Sequence, residues 1–343
     1  MTKKPNILII YTGGTIGMMR DYDSKALKAF DFNYIYDNIP ELNQLNCNIE
    51  TVSFEKPIDS SNMSIPHWLR IVSIIEKFYE TKDGFVVLSG SDTMSYSASA
   101  ISFMIENLGK PIIFTGSQLP IGDLRTDAKE NLITAIQIAS ARDEEENPVI
   151  TEVGLYFEYK LYRANRTTKV SAEQFEAFTS PNYPPLGESG VHLKFNHSIL
   201  LRPKKGSKPV FRKDLNNNVF LLKLFPGLNR NVLQQLLEVQ GLEAIIMEGY
   251  GSGNAPTETW FINLLTEARN KGIHIVDITQ CISGSVVLGQ YETSTRLQAI
   301  GVIDGKDITT ESALAKIMYL LGCNIKNSEF KNIYETPLRG EMS

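Results

Sequence analysis

Short runs of Ile, Val and Leu, too unbroken to alternate between a wet and a dry face, recur along this chain with amphipathic stretches between them. A strand buried on both faces needs helices above and below it, so this alternation directs the chain to an α/β fold with a helix-covered, mostly parallel sheet. The strand-like runs are 7–11, 49–54, 85–88, 112–114 and 153–157, then 219–224, 244–247 and 273–278. Helical periodicity marks 66–79, 94–108, 128–141, 230–239, 258–271 and 308–321. At 343 residues the chain exceeds what one core usually holds. A polar, irregular stretch with Lys204, Lys205, Gly206, Lys208, Lys213 and three consecutive asparagines lies near two-thirds of its length. The reading is a larger N-terminal domain over 1–200, a linker over 201–218 and a smaller C-terminal α/β domain over 219–343.

Charge and composition exclude several classes. The net charge of −5 offers no basic excess to neutralise phosphates, so nucleic acid is not an expected partner. No uninterrupted run of about 18 apolar residues supplies a membrane span. The first residues lack the pattern of a secretory signal, and the three cysteines, Cys47, Cys281 and Cys323, are odd in number and far apart. A cytoplasmic protein is the expectation.

The strands of the first half run into turns rich in hydroxyls, glycines and carboxylates. They are Thr12-Gly13-Gly14-Thr15-Ile16-Gly17, Asp59-Ser60-Ser61, Ser89-Gly90-Ser91-Asp92-Thr93 and Thr115-Gly116-Ser117-Gln118. Ligands of open α/β sheets bind outside the carboxyl ends of strands, so these turns are expected to converge on one crevice. Familiar alternatives are missing. There is no P-loop run and no Gly-x-Ser-x-Gly elbow, and the turn Gly249-Tyr250-Gly251-Ser252-Gly253-Asn254 has asparagine where a dinucleotide fingerprint needs its third glycine. His67, His192, His197 and His274 stand at no metal-ligand spacing, so neither a metal nor a Ser–His pair is expected. Hydrolytic chemistry would then rest on a hydroxyl activated by lysine, tyrosine or carboxylate. The run Arg166-Thr167-Thr168-Lys169 offers such a lysine, although a lysine is more often a surface residue.

Taken together, Thr12 to Gly17, Asp59-Ser60-Ser61, Gly90-Ser91-Asp92-Thr93, Gly116 to Pro120 and Thr167-Thr168-Lys169 resemble the bacterial-type L-asparaginases, and among them the cytoplasmic type I. The resemblance extends to Thr279-Gln280-Cys281-Ile282-Ser283-Gly284 and to the tail Leu338-Arg339-Gly340-Glu341. It implies hydrolysis of L-asparagine to L-aspartate and ammonia without a cofactor, through an acyl-enzyme on Thr15. Ser91 falls where the family usually has threonine, which keeps the hydroxyl but loses the methyl that restricts its rotamer. The resemblance makes Lys169 the proton acceptor or relay beside Ser91. Asp92 would complete that group and take the substrate's α-ammonium. Ser60 would take the α-carboxylate, with Asp59 and Ser61 framing the pocket. It places a lid over 18–32 and an assisting tyrosine at Tyr291, with Tyr22 as the alternative. It also implies a homodimer or homotetramer. Cys281, Asn254 and Thr168 fall on a second, effector asparagine site of type I relatives, but Glu248 stands where an arginine is expected. The competing readings are a tRNA-dependent amidotransferase subunit, a non-catalytic amino-acid sensor and a broader amidase or glutaminase.

Overall fold

The computed structural model describes residues 4–20, 27–29, 39–290 and 292–343. They fall into two compact units, Met1–Lys213 and Asp214–Ser343. The first is built on an eight-stranded sheet with β1 (Asn6–Gly13), β2 (Asn48–Ile58), β3 (Gly84–Leu88), β4 (Ile112–Thr115) and β5 (Val153–Phe157). Strands β6 (Lys160–Arg163), β7 (Gly187–Ser189) and β8 (Leu193–Phe195) complete it. The spatial order is β8-β7-β6-β5-β4-β3-β1-β2, parallel from β2 to β5 and antiparallel beyond.

Burial follows position in that order. Every residue of β3, β4 and β5 is buried, whereas β2, at the sheet's edge, is largely exposed. Two-faced burial, expected of all the early strands, therefore fails for the edge. Helices α1 (Ile65–Phe78), α2 (Met94–Met104) and α3 (Ala128–Ser140) join the parallel strands. The core under α3 gathers Ile7, Ile9, Val86, Ile113, Leu132 and Ile136.

Helix α2 ends four residues before the sequence pattern does. Ile105–Glu106 leaves it to pair antiparallel with Val210–Phe211, and Asn107 turns the chain at φ 54°. The Arg212–Glu106 ion pair and the edge-on packing of Phe211 against Tyr79 hold that pairing. The polar stretch after residue 200 thus supplies a strand to the first unit.

The second unit is a four-stranded parallel sheet: β9 (Val219–Lys223), β10 (Ala244–Gly249), β11 (His274–Thr279) and β12 (Ile303–Asp304), in that order. Its helices are α4 (Arg230–Leu237), α5 (Thr259–Asn270), α6 (Glu292–Ala299), α7 (Thr310–Gly322) and α8 (Asn327–Tyr334). Lys316 of α7 and Glu341 of the tail form a fully buried ion pair, and Glu341 also accepts the Leu338 and Arg339 N–H groups. His274 is buried against Phe330 with stacked rings, and burial pulls its pKa down to about 4.

Asp277 of β11 is wholly buried and faces the Gly249 N–H. Burial, with the charge of Asp304 added, raises its pKa well above the usual carboxylate range. The folded protein holds a proton that the unfolded chain releases near pH 4, so this contribution to stability is lost as pH rises from there toward the folded pKa. Each unit of pH in that window costs about 1.4 kcal/mol. Asp277→Asn keeps the shape and abolishes the titration. Thermal melts from pH 4 to pH 8 should show the variant gaining on the wild type as pH rises; a constant difference between the two would refute the protonated carboxyl.

Candidate active site

In the order β2-β1-β3-β4-β5 the chain reverses direction of growth beside β1, and the crevice outside β1 and β3 is the switch point where such sheets bind ligands. Register makes this concrete. Tyr11 pairs with Leu88, so the turns that follow β1 and β3 leave the sheet side by side. One carries Thr15 and the other Ser91 and Asp92.

The turns touch through glycine. Gly14 has φ 89°, and a Cβ there would lie 2.3 Å from the Gly90 nitrogen. A Cβ on Gly90 would in turn lie 2.5 Å from Ser60 Oγ. Any side chain at either position would push the three turns apart. Polar bonds reinforce the contact: Thr12 Oγ1 donates to the Leu88 carbonyl at 3.0 Å, and Thr93 Oγ1 to the Ser60 carbonyl at 2.8 Å.

Thr15 opens a short 3-10 turn, Thr15–Gly17, and is half-buried. Beneath that turn Tyr11 is buried, its hydroxyl donating to the Gly17 carbonyl at 3.2 Å and its pKa pushed up to about 12 by burial. A buried phenol held in this way props the turn and stays protonated. Ser60 is buried at the start of a second 3-10 turn, Ser60–Asn62. Asp59 caps it, accepting the Ser61 N–H at 2.9 Å and the Ser61 hydroxyl at 2.8 Å, and these two bonds lower its pKa. Asp59 and Ser61 are exposed and spent on each other, which leaves Ser60 as the inward-facing group of the three.

The lysine arrives on the segment that follows β6. Thr168–Lys169 is a two-residue strand paired with Phe178–Thr179. Lys169 Nζ donates to Ser91 Oγ at 2.9 Å and to Asp92 Oδ1 at 2.7 Å. The lysine side chain is 16 % exposed and that of Asp92 68 %, so the cluster has a shielded end and an open end. A lysine amine in contact with a hydroxyl can take or return its proton, and the carboxylate orients it.

Gln118 is a residue of this site that sequence reasoning did not single out. Its Oε1 lies 3.4 Å from Ser91 Oγ, and its Nε2 donates to the Gln174 carbonyl at 2.9 Å. Buried Asp127 sets it there by accepting the Gln118 and Leu119 N–H groups and the Asn131 amide. The run Gly116 to Pro120 was visible in the sequence; which of its side chains turns toward Ser91 was not.

The structure therefore brings together the turns of Thr15, Ser60 and Ser91–Asp92 with Lys169. Tyr22 and Tyr291 lie outside the described residues, as does most of 18–32, of which Met18–Arg20 and Leu27–Ala29 pair antiparallel. Among the described residues no group of three or more His, Cys, Asp or Glu side chains is arranged to hold a metal. No helix among them is long and apolar enough to cross a membrane. His192 and His197 are exposed, and His67 pairs with Ser64 at 2.9 Å. Glu248, in the second unit, accepts from Thr310 Oγ1 at 2.8 Å and pairs with Lys223 at 3.1 Å.

Comparison with known proteins gives a consistent result. Residues 6–201 match the family model described as "Asparaginase, N-terminal", and residues 218–334 match "Glutaminase/Asparaginase C-terminal domain". The chain is 39 % identical over 342 residues to L-asparaginase 1 of Escherichia coli K12, covering 99 % of both chains. It is 36 % identical to a mouse protein named 60 kDa lysophospholipase, of which it covers 63 %. The crystal structure of L-asparaginase I from Vibrio cholerae superposes with a TM-score of 0.90 at 36 % identity, covering 99 % of this chain and all of that one.

Proposed function

The chain belongs to the asparaginase family, and from that premise we propose that it hydrolyses L-asparagine to L-aspartate and ammonia, with Thr15 as nucleophile. The observation that carries this reading is the bond from Lys169 to both Ser91 and Asp92 at the switch point where the Thr15 turn emerges. Thr15 Oγ attacks the side-chain amide carbon, and a proton delivered to the nitrogen lets ammonia leave. Water adds to the resulting ester, and its proton returns to Thr15 as aspartate is released. An amide is a poor electrophile, so the developing oxyanion needs donors already in place, and the N–H groups of the glycine-bearing turns are of the required kind. Ser91, Lys169 and Asp92 move the protons; the exposed side of Asp92 meets the α-ammonium, and Ser60, framed by Asp59 and Ser61, meets the α-carboxylate. Tyr291 is proposed to assist Thr15.

Steady-state ammonia release from L-asparagine and L-glutamine tests this. Release from asparagine supports the reading, and well-folded protein that releases none from either amide overturns it. The reading also carries a cytoplasmic compartment and a homodimer or homotetramer, which light scattering on the eluted protein checks.

Two further outcomes are expected. Ser60→Ala removes the buried hydroxyl without pressing on the neighbouring turns, so KM for asparagine should rise by about 10- to 100-fold through loss of a charge-assisted bond, with kcat changed less. An unchanged KM would remove Ser60 from the carboxylate pocket. Saturation with asparagine should also be hyperbolic. Glu248 would repel an effector's carboxylate and is already committed to Lys223 and Thr310. A sigmoidal curve would show that an effector site works despite this charge.

A further inference from the structure

A two-residue strand is too short to fix a lysine by its own ladder, yet Lys169 meets Ser91 at hydrogen-bond distance. The segment before it explains how. The 3-10 turn Ala164–Arg166 lies against α2, the helix that begins just after Ser91 and Asp92. Asn165 Nδ2 donates to Ser102 Oγ at 3.0 Å, and both residues are buried. Two turns of α2 nearer the site, wholly buried Thr167 has its Oγ1 2.7 Å from the Ala164 carbonyl and 3.0 Å from Ser95 Oγ. A carbonyl only accepts, so the single Thr167 hydroxyl proton goes to Ala164, and Ser95 supplies the proton for the other bond. Ser95 stands four residues after Ser91, and Thr167 two residues before Lys169.

We propose that the Ser95–Thr167 hydroxyl pair is the positioning element that sets the Lys169–Ser91 distance, tying the lysine's strand to the first turn of the helix whose leading residues it serves. The proposal rests on the reading of Lys169 as the proton carrier. Thr167 and Ser95 touch neither substrate nor reacting atoms; they act through the lysine. A misplacement of about 1 Å at a proton-transfer pair can cost up to about 100-fold in rate.

The test uses Thr167→Val, which keeps shape and loses the hydroxyl, Thr167→Ser, which keeps the hydroxyl, and the milder Ser95→Ala. Each is measured for kcat and KM on asparagine and by crystallography. Thr167→Val is expected to lose about 10- to 100-fold in kcat with KM nearly unchanged, and Thr167→Ser to retain the wild-type rate. In the Thr167→Val crystal the Lys169 Nζ–Ser91 Oγ separation should open beyond about 3.5 Å. If Thr167→Val does not fold, Ser95→Ala, which leaves the bond to Ala164 intact, should show the same loss and opening at smaller amplitude. A lysine still seated on Ser91 in the variants, or a kcat loss not restored by Thr167→Ser, overturns the proposal. Wild-type protein that releases no ammonia would defeat the asparaginase reading instead, and the crystallographic arm still decides the tie on geometry alone.

Discussion

Thr15→Ala is expected to lower kcat for asparagine by about 10⁴-fold or more, the scale on which removing a nucleophile acts. Thr15 is half-buried, and its turn is held by Tyr11 from beneath and by the contact of Gly14 with Gly90, none of which uses the Thr15 side chain. Thermal unfolding should therefore be unchanged, and rate and stability should separate cleanly. KM should move little, because binding is assigned to Ser60 and Asp92. An alanine enzyme retaining a tenth of the rate would transfer the nucleophile's role to another hydroxyl, with Ser91 next in line. Mass spectrometry of protein quenched during turnover would then find the acyl group on the other residue.

Lys169 is expected to matter almost as much, and in a way that separates charge from proton transfer. Lys169→Met removes both, and kcat should fall by about 10²- to 10⁴-fold, the usual worth of a general acid–base group. Lys169→Arg keeps a positive charge and donors for Ser91 and Asp92, but a guanidinium does not give up its proton in proteins. If the lysine moves a proton, arginine should be nearly as inactive as methionine; if it only stabilises charge, arginine should recover most of the rate. Kinetics of the two variants side by side, with Asp92 intact in both, read the difference directly. An arginine enzyme within a few-fold of wild type would reduce Lys169 to an electrostatic role.

Much of the fold was legible. The eight apolar runs are strands, and the hydroxyl-rich turns after β1 and β3 flank the first sheet's switch point. What escaped is local structure that local sequence does not favour. The β5–β6 hairpin turns on Glu158 and Tyr159, both left-handed at φ 43° and 68°, with neither glycine nor asparagine present. That turn is held from elsewhere: the Glu158 N–H donates to Asn131 Oδ1 of α3 at 3.2 Å. Likewise α2 stops where an antiparallel partner from residues 210–211 takes over its backbone. Neither event has a signal within a window of neighbouring residues, because the stabilising group comes from far along the chain.

The same division runs through the site. The order of residues settles which chemical groups are available: the hydroxyls of Thr15, Ser60 and Ser91, the carboxylate of Asp92 and the amine of Lys169, most of them on turns that parallel strands must place at one end of a sheet. Which of them meet is set by the packing of elements against one another. Strand register sets the Thr15 and Ser91 turns side by side, glycine contacts at hydrogen-atom clearance close the Ser60 turn on them, and the tie of residues 164–167 to α2 brings a lysine 78 positions away onto Ser91. Composition and spacing along a chain fix what a residue can do, but distances of 2.7–2.9 Å across such separations are set by packing of whole elements, which no local pattern encodes.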